Sequence, residues 1–486
     1  MWLIVLGTLP LVGAALTWVT PKRVRQIVGV GFAVATFGLA AYAATISDSL
    51  TVAHAWIPQV GAWFALRMDG LSALLVLVTA GVMVVVSIVK LAPDDDTHPL
   101  FIPLALALEG FALFTFLADD ALLFFLFFEA TLLPMYFLIA LGGDARRSAA
   151  ALKFLLYSLA GGLALLGGII YLMVVGDGLR FEDLTLLGAT VLTPEAQQVL
   201  LIAFFVAFAV KSPLVPLHPW LPDAVEHGQP FSPVLLVGML DGMGLYGMVR
   251  FCVGVTPFGS GWASAIIEII AVVTVIYGAL AAIASRSLLR LAAFASVSHC
   301  GFMVLGLFAI NTTAATGAMT YVAAHALSAS AFLLAAQWVV QRRGDTLERG
   351  VFGGLARRAP VLAGVFLLAG LATLALPGTA NFAAEFAVII GTWARYPIIA
   401  AVSLGGVLGA AIYVLWAYQR IFTGPGDDDT ELPGNDIGGG QRLAIGLLLV
   451  AIIPLGIYPA GTQQMVHPNA SAAAQSVIAS QQPGGR

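Results

Sequence analysis

Charge is the first thing this sequence lacks. Of 486 residues only 10 % are Asp, Glu, Lys or Arg, whereas a soluble domain carries about a quarter, and the mean hydropathy is +0.97. That excludes a water-soluble globular domain. The net charge of −4 is spread thinly, which argues against a nucleic-acid partner. There are only two cysteines, Cys252 and Cys300, both in apolar runs. They are too few for a disulfide framework or an iron–sulfur set, no metal-ligand spacing surrounds them, and they read as small buried hydrophobes. No Gly-rich dinucleotide motif or haem-ligating pattern occurs, so no redox centre or metal is expected on this chain. No long hydrophilic segment divides it, which leaves one membrane domain.

What is present is a succession of apolar runs. A helix crossing the roughly 30 Å hydrocarbon layer needs about 20 apolar residues, and backbone groups in lipid must satisfy one another within the segment. The chain is therefore predicted to be an all-α polytopic membrane protein of about fourteen spans, at 1–19, 26–47, 71–91, 100–118, 121–141, 152–175, 198–221, 231–254, 264–284, 288–310, 314–340, 360–391, 398–422 and 441–461. Met1–Val19 lacks a basic leader and ends in "TPKRVR", so it is read as a retained first helix. With its basic end in the cytoplasm, sixteen Lys and Arg fall in inside loops against five outside, Arg67, Arg180, Arg250, Arg395 and Arg486. Both termini are thus expected outside. Four lysines against eighteen arginines suggest a GC-rich genome and hence a bacterial inner membrane. Segments 48–70, 176–197, 341–359 and 423–440 are read as loops, the last ("GPGDDDTELPGNDIGGG") as a solvated cytoplasmic connector, and the tail beyond Gly461 as mobile.

Two spans look broken. The seventh carries Pro213, Pro216 and Pro219 after Lys211, and the twelfth carries "LPGTANFAAEF", with Pro377 and Gly378 in mid-run. Proline removes a helical hydrogen bond and clashes with the preceding turn; the result is either a kink or a discontinuity. Transporters build ion sites at discontinuities in matched positions of inverted repeats, and spans seven and twelve are five apart. Ionisable groups inside the runs also need a reason, since each costs about 2.5–3.5 kcal/mol at the bilayer centre on insertion scales. Glu109, Glu129, Lys211 and Glu385 stand out in spans four, five, seven and twelve, with His218, His299 and His325. Glu129 has about eight uncharged residues before it and fourteen after, too many for its carboxylate to snorkel, and the obvious opposite charge is Lys211. Burial disfavours a lysine's charge and a carboxylate favours it, so a lysine held between the two can switch protonation when its partner moves. A static pair locking two helices is the other reading. His299 and His325 stand between packing residues and proton carriers, whereas a structural role is favoured for His218.

These residues lead to a resemblance. The run "KSPLVPLHPWLPDAVEH", then "GLYGMVRF", "SVSHCGF", "AAHALSAS" and "PGTANFAAEF" closely resembles, in order, the antiporter-like subunits of respiratory complex I, the subunit M branch (the mitochondrial subunit 4 counterpart) being nearest. The similarity runs from about Trp56 to about Phe422. It implies fourteen helices with inverted five-helix repeats at helices 4–8 and 9–13 and broken helices 7 and 12. The divisions are then 1–99, 100–254 and 264–422 (the two repeats), 423–465 (connector and helix 14) and a flexible tail at 466–486. The resemblance also implies roles. Glu129 is similar to the helix 5 glutamate, Lys211 to the helix 7 lysine paired with it, His299 and His325 to histidines of the central polar axis, Glu385 to the ionisable residue on the exit side, and Glu109 to an acid of helix 4.

Two departures stand out. The family usually carries a lysine in helix 8 where this chain has Gly242, preceded by Asp241. It usually carries an acid and a base where this chain has Ser287 and Leu289, though Arg290 remains. Three mechanisms follow: water replaces the lysine, Asp241 substitutes for it with altered charge, or this copy pumps poorly. The function implied is proton translocation by an NADH–quinone oxidoreductase, with neighbouring membrane-arm subunits, lipid and protons as partners. NADH, FMN, iron–sulfur clusters and quinone are expected on those partner subunits. The alternatives are an Mrp-type cation/proton antiporter, a membrane-bound hydrogenase subunit or a non-pumping structural member.

Overall fold

Because lipid offers the backbone no partners, the apolar runs fold as helices, and the chain's architecture is a bundle of them. A computed structural model describes residues 1–46, 50–91, 98–142, 145–345, 347, 353–424 and 436–482. Among these residues twelve helical segments are long and apolar enough to cross a membrane. Phe101–Leu117 is one residue short of that length, and the pair Pro360–Thr373 and Ala380–Trp393 forms a crossing between them. With these two the spans number fourteen, in two inverted five-helix repeats, spans four to eight and nine to thirteen. Residues 425–435, most of the expected connector, lie outside the described residues.

The sequence marks the helix starts locally. Pro194, Pro257, Pro360 and Pro397 stand in the first turns of their helices, where the missing N–H costs nothing. Asp69 accepts from the backbone N–H of Ser72, whose hydroxyl in turn accepts from the N–H of Asp69, a reciprocal cap. Asn311 caps span eleven, Thr312–Arg343. The apolar window of span eleven is buried throughout, and those of spans ten and eight, Leu288–Phe308 and Ser232–Val255, are 94 % and 89 % buried. These three form the centre of the bundle, as expected of helices that are hydrophobic all round.

Both proposed breaks are discontinuities. The seventh span leaves the helix after Lys211 and resumes at Trp220–His227; the twelfth stops at Thr373 and resumes at Ala380. In the second break Ala375 and Gly378 adopt φ of 58° and 96°. Span eight carries π-helical stretches at Leu236–Leu240 and Met248–Val255 around Asp241–Gly247, a feature frequent at functional sites that no local residue pattern announced.

Three loop readings need correction. Residues 48–70 contain an antiparallel hairpin, β1 (Thr51–Ile57) paired with β2 (Ala62–Arg67), with Gly61 at φ 67° in the turn. Its short alternating strands were hidden between two apolar runs, and Asp120 Oδ2, which accepts from the N–H of Trp63 at 2.9 Å, holds it to the bundle. The 176–197 loop contains a short helix, Phe181–Thr190. The tail at 466–486 is not flexible through Ser480, because Ala460–Ser480 is a helix that buries Val466, Ala470, Ala473, Ala474 and Val477. Its small side chains supply little hydropathy but let it lie close on the bundle. Asn469 anchors it, donating to Asp69 Oδ2 at 3.0 Å beside the ion pair of Asp69 with Arg250. Burial opposes the Asp69 charge, but the Arg250 guanidinium and these hydrogen bonds hold its carboxyl well below the usual carboxylate range.

Glycines of "DGMGLYG" let span eight meet the break in span seven. A Cβ on Gly244 would lie 2.2 Å from Ser212 Oγ and 2.8 Å from the Phe208 carbonyl. Gly244→Val is therefore expected to cut the amount of assembled protein in the membrane several-fold on an immunoblot. Gly167→Ala, where an added Cβ meets nothing within 4 Å, is the control expected to leave it unchanged.

Candidate functional site

Lys211 is the last helical residue before the break in span seven, and Ser212 leaves the helix at φ −88°, ψ 85°. Irregular backbone at this depth needs partners. Trp220 Nε1 donates to the Val210 carbonyl at 2.9 Å, the Val215 N–H donates to Thr274 Oγ1 at 3.1 Å, and the Val215–Pro216 bond is cis. The Lys211 side chain is 2 % exposed. Its Nζ lies 4.9 Å from the centre of the Phe128 ring and 5.8 Å from that of Phe154, with no hydrogen-bond partner. Glu129 faces it from span five, Ala121–Ala140. Gly162 of span six makes room for the carboxylate, because a Cβ there would lie 2.2 Å from Glu129 Oε1. Glu129 Oε1 also lacks a hydrogen-bond partner, so the two are electrostatic neighbours held apart. Lys211 feels two carboxylates, those of Glu129 and Asp241.

From Asp241 a chain of contacts crosses the buried centre. Ser296 Oγ donates to Asp241 Oδ2 at 2.8 Å and lies 2.9 Å from His325 Nε2. A hydroxyl has one proton; with it on Asp241, His325 Nε2–H is the donor to Ser296. The His325 and His299 ring centres are 5.2 Å apart, and the nitrogens His325 Nδ1 and His299 Nε2 have no partner. His299 Nδ1 lies 2.7 Å from the Tyr321 hydroxyl, which donates to Glu385 Oε2 at 2.8 Å. Glu385 is 4 % exposed and follows the second break. The structure thus brings together Glu129, Lys211, Asp241, His325, His299 and Glu385, with His325 before His299. It adds two residues that sequence reasoning missed, Ser296 and Tyr321. Their signal was their spacing: Ser296 precedes His299 by three residues and Tyr321 precedes His325 by four, which puts each on its histidine's side of the helix.

Gly242 is the departure whose surroundings matter most. From Phe231 to Val249 it alone retains partial solvent accessibility; its neighbours are all buried. A Cβ on it would meet Val322 Cγ1 at 2.6 Å, so a lysine there would have to displace Val322. Asp241, one residue away, does reach the chain through Ser296.

Other candidates stand apart. Glu109 is fully buried, and neither carboxyl oxygen has a partner; the structure does not join it to the chain. Glu268, in span nine, is likewise fully buried with both oxygens unpartnered. Sequence reasoning passed it over although it stands in the apolar run "SAIIEIIAVV". The His218 ring packs on Tyr277 at 4.9 Å, in keeping with a structural role. The stretch "PDAVEH" forms a clamp at one mouth of span seven. Asp223 takes Lys153 at 2.7 Å and Arg290 at 3.2 Å, and Glu226 takes Arg290 at 2.6 Å. The missing acid before span ten is supplied from elsewhere in the chain. Ser287 Oγ donates to Asp345 Oδ2 at 2.6 Å, and Asp345 Oδ1 accepts from the N–H groups of Leu288 and Leu289 at 2.7 and 3.1 Å. Burial pushes the Asp345 carboxyl up, against those hydrogen bonds.

Comparison with known proteins gives the chain a lineage. Residues 118–412 match the family described as NADH:quinone oxidoreductase/Mrp antiporter, transmembrane. The NADH-quinone oxidoreductase subunit M of Mycobacterium tuberculosis is 35 % identical over 514 residues, covering 96 % of this chain and 93 % of that protein. Subunit M of Escherichia coli is 36 % identical over 417 residues, covering 83 % and 81 %. Among solved structures, a chain of respiratory complex I from Thermus thermophilus superposes with a TM-score of 0.90 at 30 % identity, covering 98 % of this chain and all of that one. A chain of the Mrp complex from a Dietzia species superposes with 0.86 at 20 % identity, covering 98 % and 99 %; that is likeness of fold alone.

The Asp345 cap can be checked directly. Asp345→Ala is expected to weaken the first turn of span ten by about 1–2 kcal/mol. Hydrogen exchange of the amides at Leu288–Leu291 should quicken while that of span eleven stays the same; equal rates at Leu288–Leu291 would contradict the cap.

Proposed function

The chain belongs to the NADH:quinone oxidoreductase/Mrp antiporter membrane family, and from that premise we propose that Glu129, Lys211, Asp241, His325, His299 and Glu385 carry protons through it. It is an antiporter-like membrane-arm subunit of the M type, part of a proton-translocating NADH:quinone oxidoreductase beside other antiporter-like subunits. Electron transfer belongs to cofactors on other subunits, and our reading is that none binds here. It is a multi-pass protein of the membrane; the inner membrane of a bacterium, with both termini outside, is the orientation the Lys and Arg bias favours. We read residues 100–254 and 264–422 as the two repeats.

The observation that carries the proposal is a pair of hydrogen-bonded segments, Asp241–Ser296–His325 and His299–Tyr321–Glu385, whose imidazole rings stand 5.2 Å apart. A change in the neighbouring subunit shifts Glu129 relative to Lys211, and Lys211 releases its proton toward Asp241. With that proton on Asp241, the hydroxyl of Ser296 turns: it accepts the Asp241 proton and gives its own to His325 Nε2, which accepts it in the tautomer that carries its hydrogen on Nδ1. Tyr321 works in the same way on the exit side. As His299 Nδ1–H gives its proton to the phenol oxygen, the phenol gives its own to Glu385. Each hop moves protons alone and ends with the hydrogen bonds reversed and no heavy atom displaced, which suits a packed interior. Two places lack a direct bond, between Lys211 and Asp241 and between the two imidazoles. Unpartnered Lys211 Nζ and Asp241 Oδ1 at the first place, with the accessibility of Gly242 beside them, and unpartnered His325 Nδ1 and His299 Nε2 at the second suit a bridging water.

Glu109, which the resemblance matches to an acid of helix 4, lies off this line and our reading gives it no step in the relay. The likeness to the Mrp chain supports no second function, since it rests on fold.

In liposomes reconstituted with the whole complex, Lys211→Ala is expected to abolish the contribution of this subunit to NADH-driven proton uptake. An unchanged proton-to-electron ratio would contradict the relay. Tyr321→Phe keeps the ring and removes the hydroxyl; it should assemble normally and slow proton uptake, while wild-type uptake would exclude the phenol from the path.

A further inference from the structure

Cys300 lies one turn beyond Ser296 on span ten, and its sulfur faces the same buried point. The Asp241 carboxylate, the Cys300 thiol and the His325 imidazole each offer one atom, and these three atoms lie within 4.8 Å of one another. They come from spans eight, ten and eleven, so no spacing along the sequence announces the set. All three side chains are buried, at 1–2 % exposure, and Asp241 Oδ1 and His325 Nδ1 have no hydrogen-bond partner.

We propose that Asp241, Cys300 and His325 form an inhibitory binding site for a soft or borderline divalent cation, of the zinc or cadmium class, at the crossing point of the relay. Carboxylate, thiolate and imidazole are the donor types such an ion takes. A dication held by one carboxylate and one thiolate makes a neutral unit, which removes the main obstacle to placing a metal in a low-dielectric interior. Bonds of about 2.0–2.3 Å to a tetrahedral ion set its ligand atoms roughly 3.5 Å apart, so the three groups need only close slightly. The Ser296 hydroxyl, already touching Asp241 and His325, is placed to be the fourth oxygen or to be pushed aside.

Occupancy would stop the relay on this reading of it, because the ion takes the lone pairs that carry the proton from Asp241 to His325. Binding the ion also releases the thiol proton. Lys211 lies within electrostatic range of Asp241, and its ammonium repels a cation there. The ion therefore binds after Lys211 has released its proton, and inhibition sets in faster during turnover than at rest. The other acid and histidine grouping, Asp223, Glu226 and His227, carries no such reading because its carboxylates already hold Lys153 and Arg290.

The test uses intact complex with cadmium chloride as the probe. Cys300→Ser and Cys300→Ala both leave the relay residues in place, so the uninhibited rate should stay at the wild-type level. Bound cadmium, counted by mass spectrometry of the metal after desalting, should fall by one ion per complex. The cadmium concentration that halves proton uptake should rise at least about tenfold, since even an outer partner of a metal is worth 10–100-fold in affinity. Equal cadmium counts in wild type and both variants would overturn the site whatever the relay does. A count that falls by one while wild-type pumping ignores cadmium would keep the site and overturn its place on the proton path.

Discussion

A proton-carrying group in the middle of a bilayer survives only where something else shares its hydrogen or its charge, and this protein depends on that constraint throughout. Lys211 has no ordinary hydrogen-bond partner; it is held instead by two aromatic faces and two carboxylates at a distance. Everything around it serves to make that arrangement tolerable. The helix stops so that irregular backbone lies beside it, Trp220 and Thr274 bond the freed backbone groups, and Gly244 lets span eight close over the break. A closed ion pair would be more stable and would not switch.

The second half of the path is held differently. There the groups are bonded through hydroxyls, Ser296 between Asp241 and His325 and Tyr321 between His299 and Glu385. A hydroxyl both donates and accepts, so it can reverse its direction without moving. All of these residues but Glu385, which is on span twelve, stand on spans eight, ten and eleven, the most deeply buried of the bundle, and packing of that density fixes the distances on which reversal depends. With Gly242 in place of a lysine, the centre of the path changes sign. On the path proposed above, the carboxylate one residue earlier is the group that receives from Lys211, and the volume a lysine would fill is partly taken by Val322. Of the three mechanisms open from sequence, substitution by Asp241 together with water beside Gly242 accounts best for this geometry.

Much of this was legible in the sequence because the membrane makes it so. Long apolar runs become helices, prolines after Lys211 and at Pro377 end them, and a charge in an apolar run needs an explanation. What escaped was whatever depends on contacts between distant segments. The strands of the hairpin of β1 and β2 are too short to be read beside apolar runs, and the helix over Ala460–Ser480 is made largely of small residues whose burial only the bundle reveals. Ser296 and Tyr321 are common residue types in small-residue helices and acquire a role only when span eight and span twelve come alongside. Asp345, fifty-eight residues from Ser287, replaces a missing acid that sequence reading took as a loss. Cys300 reads as a small hydrophobe until the fold sets it against Asp241 and His325.

The claim at the centre is that Asp241 has taken over the task of the absent lysine. The most direct measurement is the number of protons pumped per NADH by whole complex in liposomes, comparing wild type with Asp241→Asn, which keeps the shape and removes the titrating group. The expected result is a lower ratio in Asp241→Asn, with partial recovery when Gly242→Lys is added. A wild-type ratio in assembled Asp241→Asn would contradict the claim.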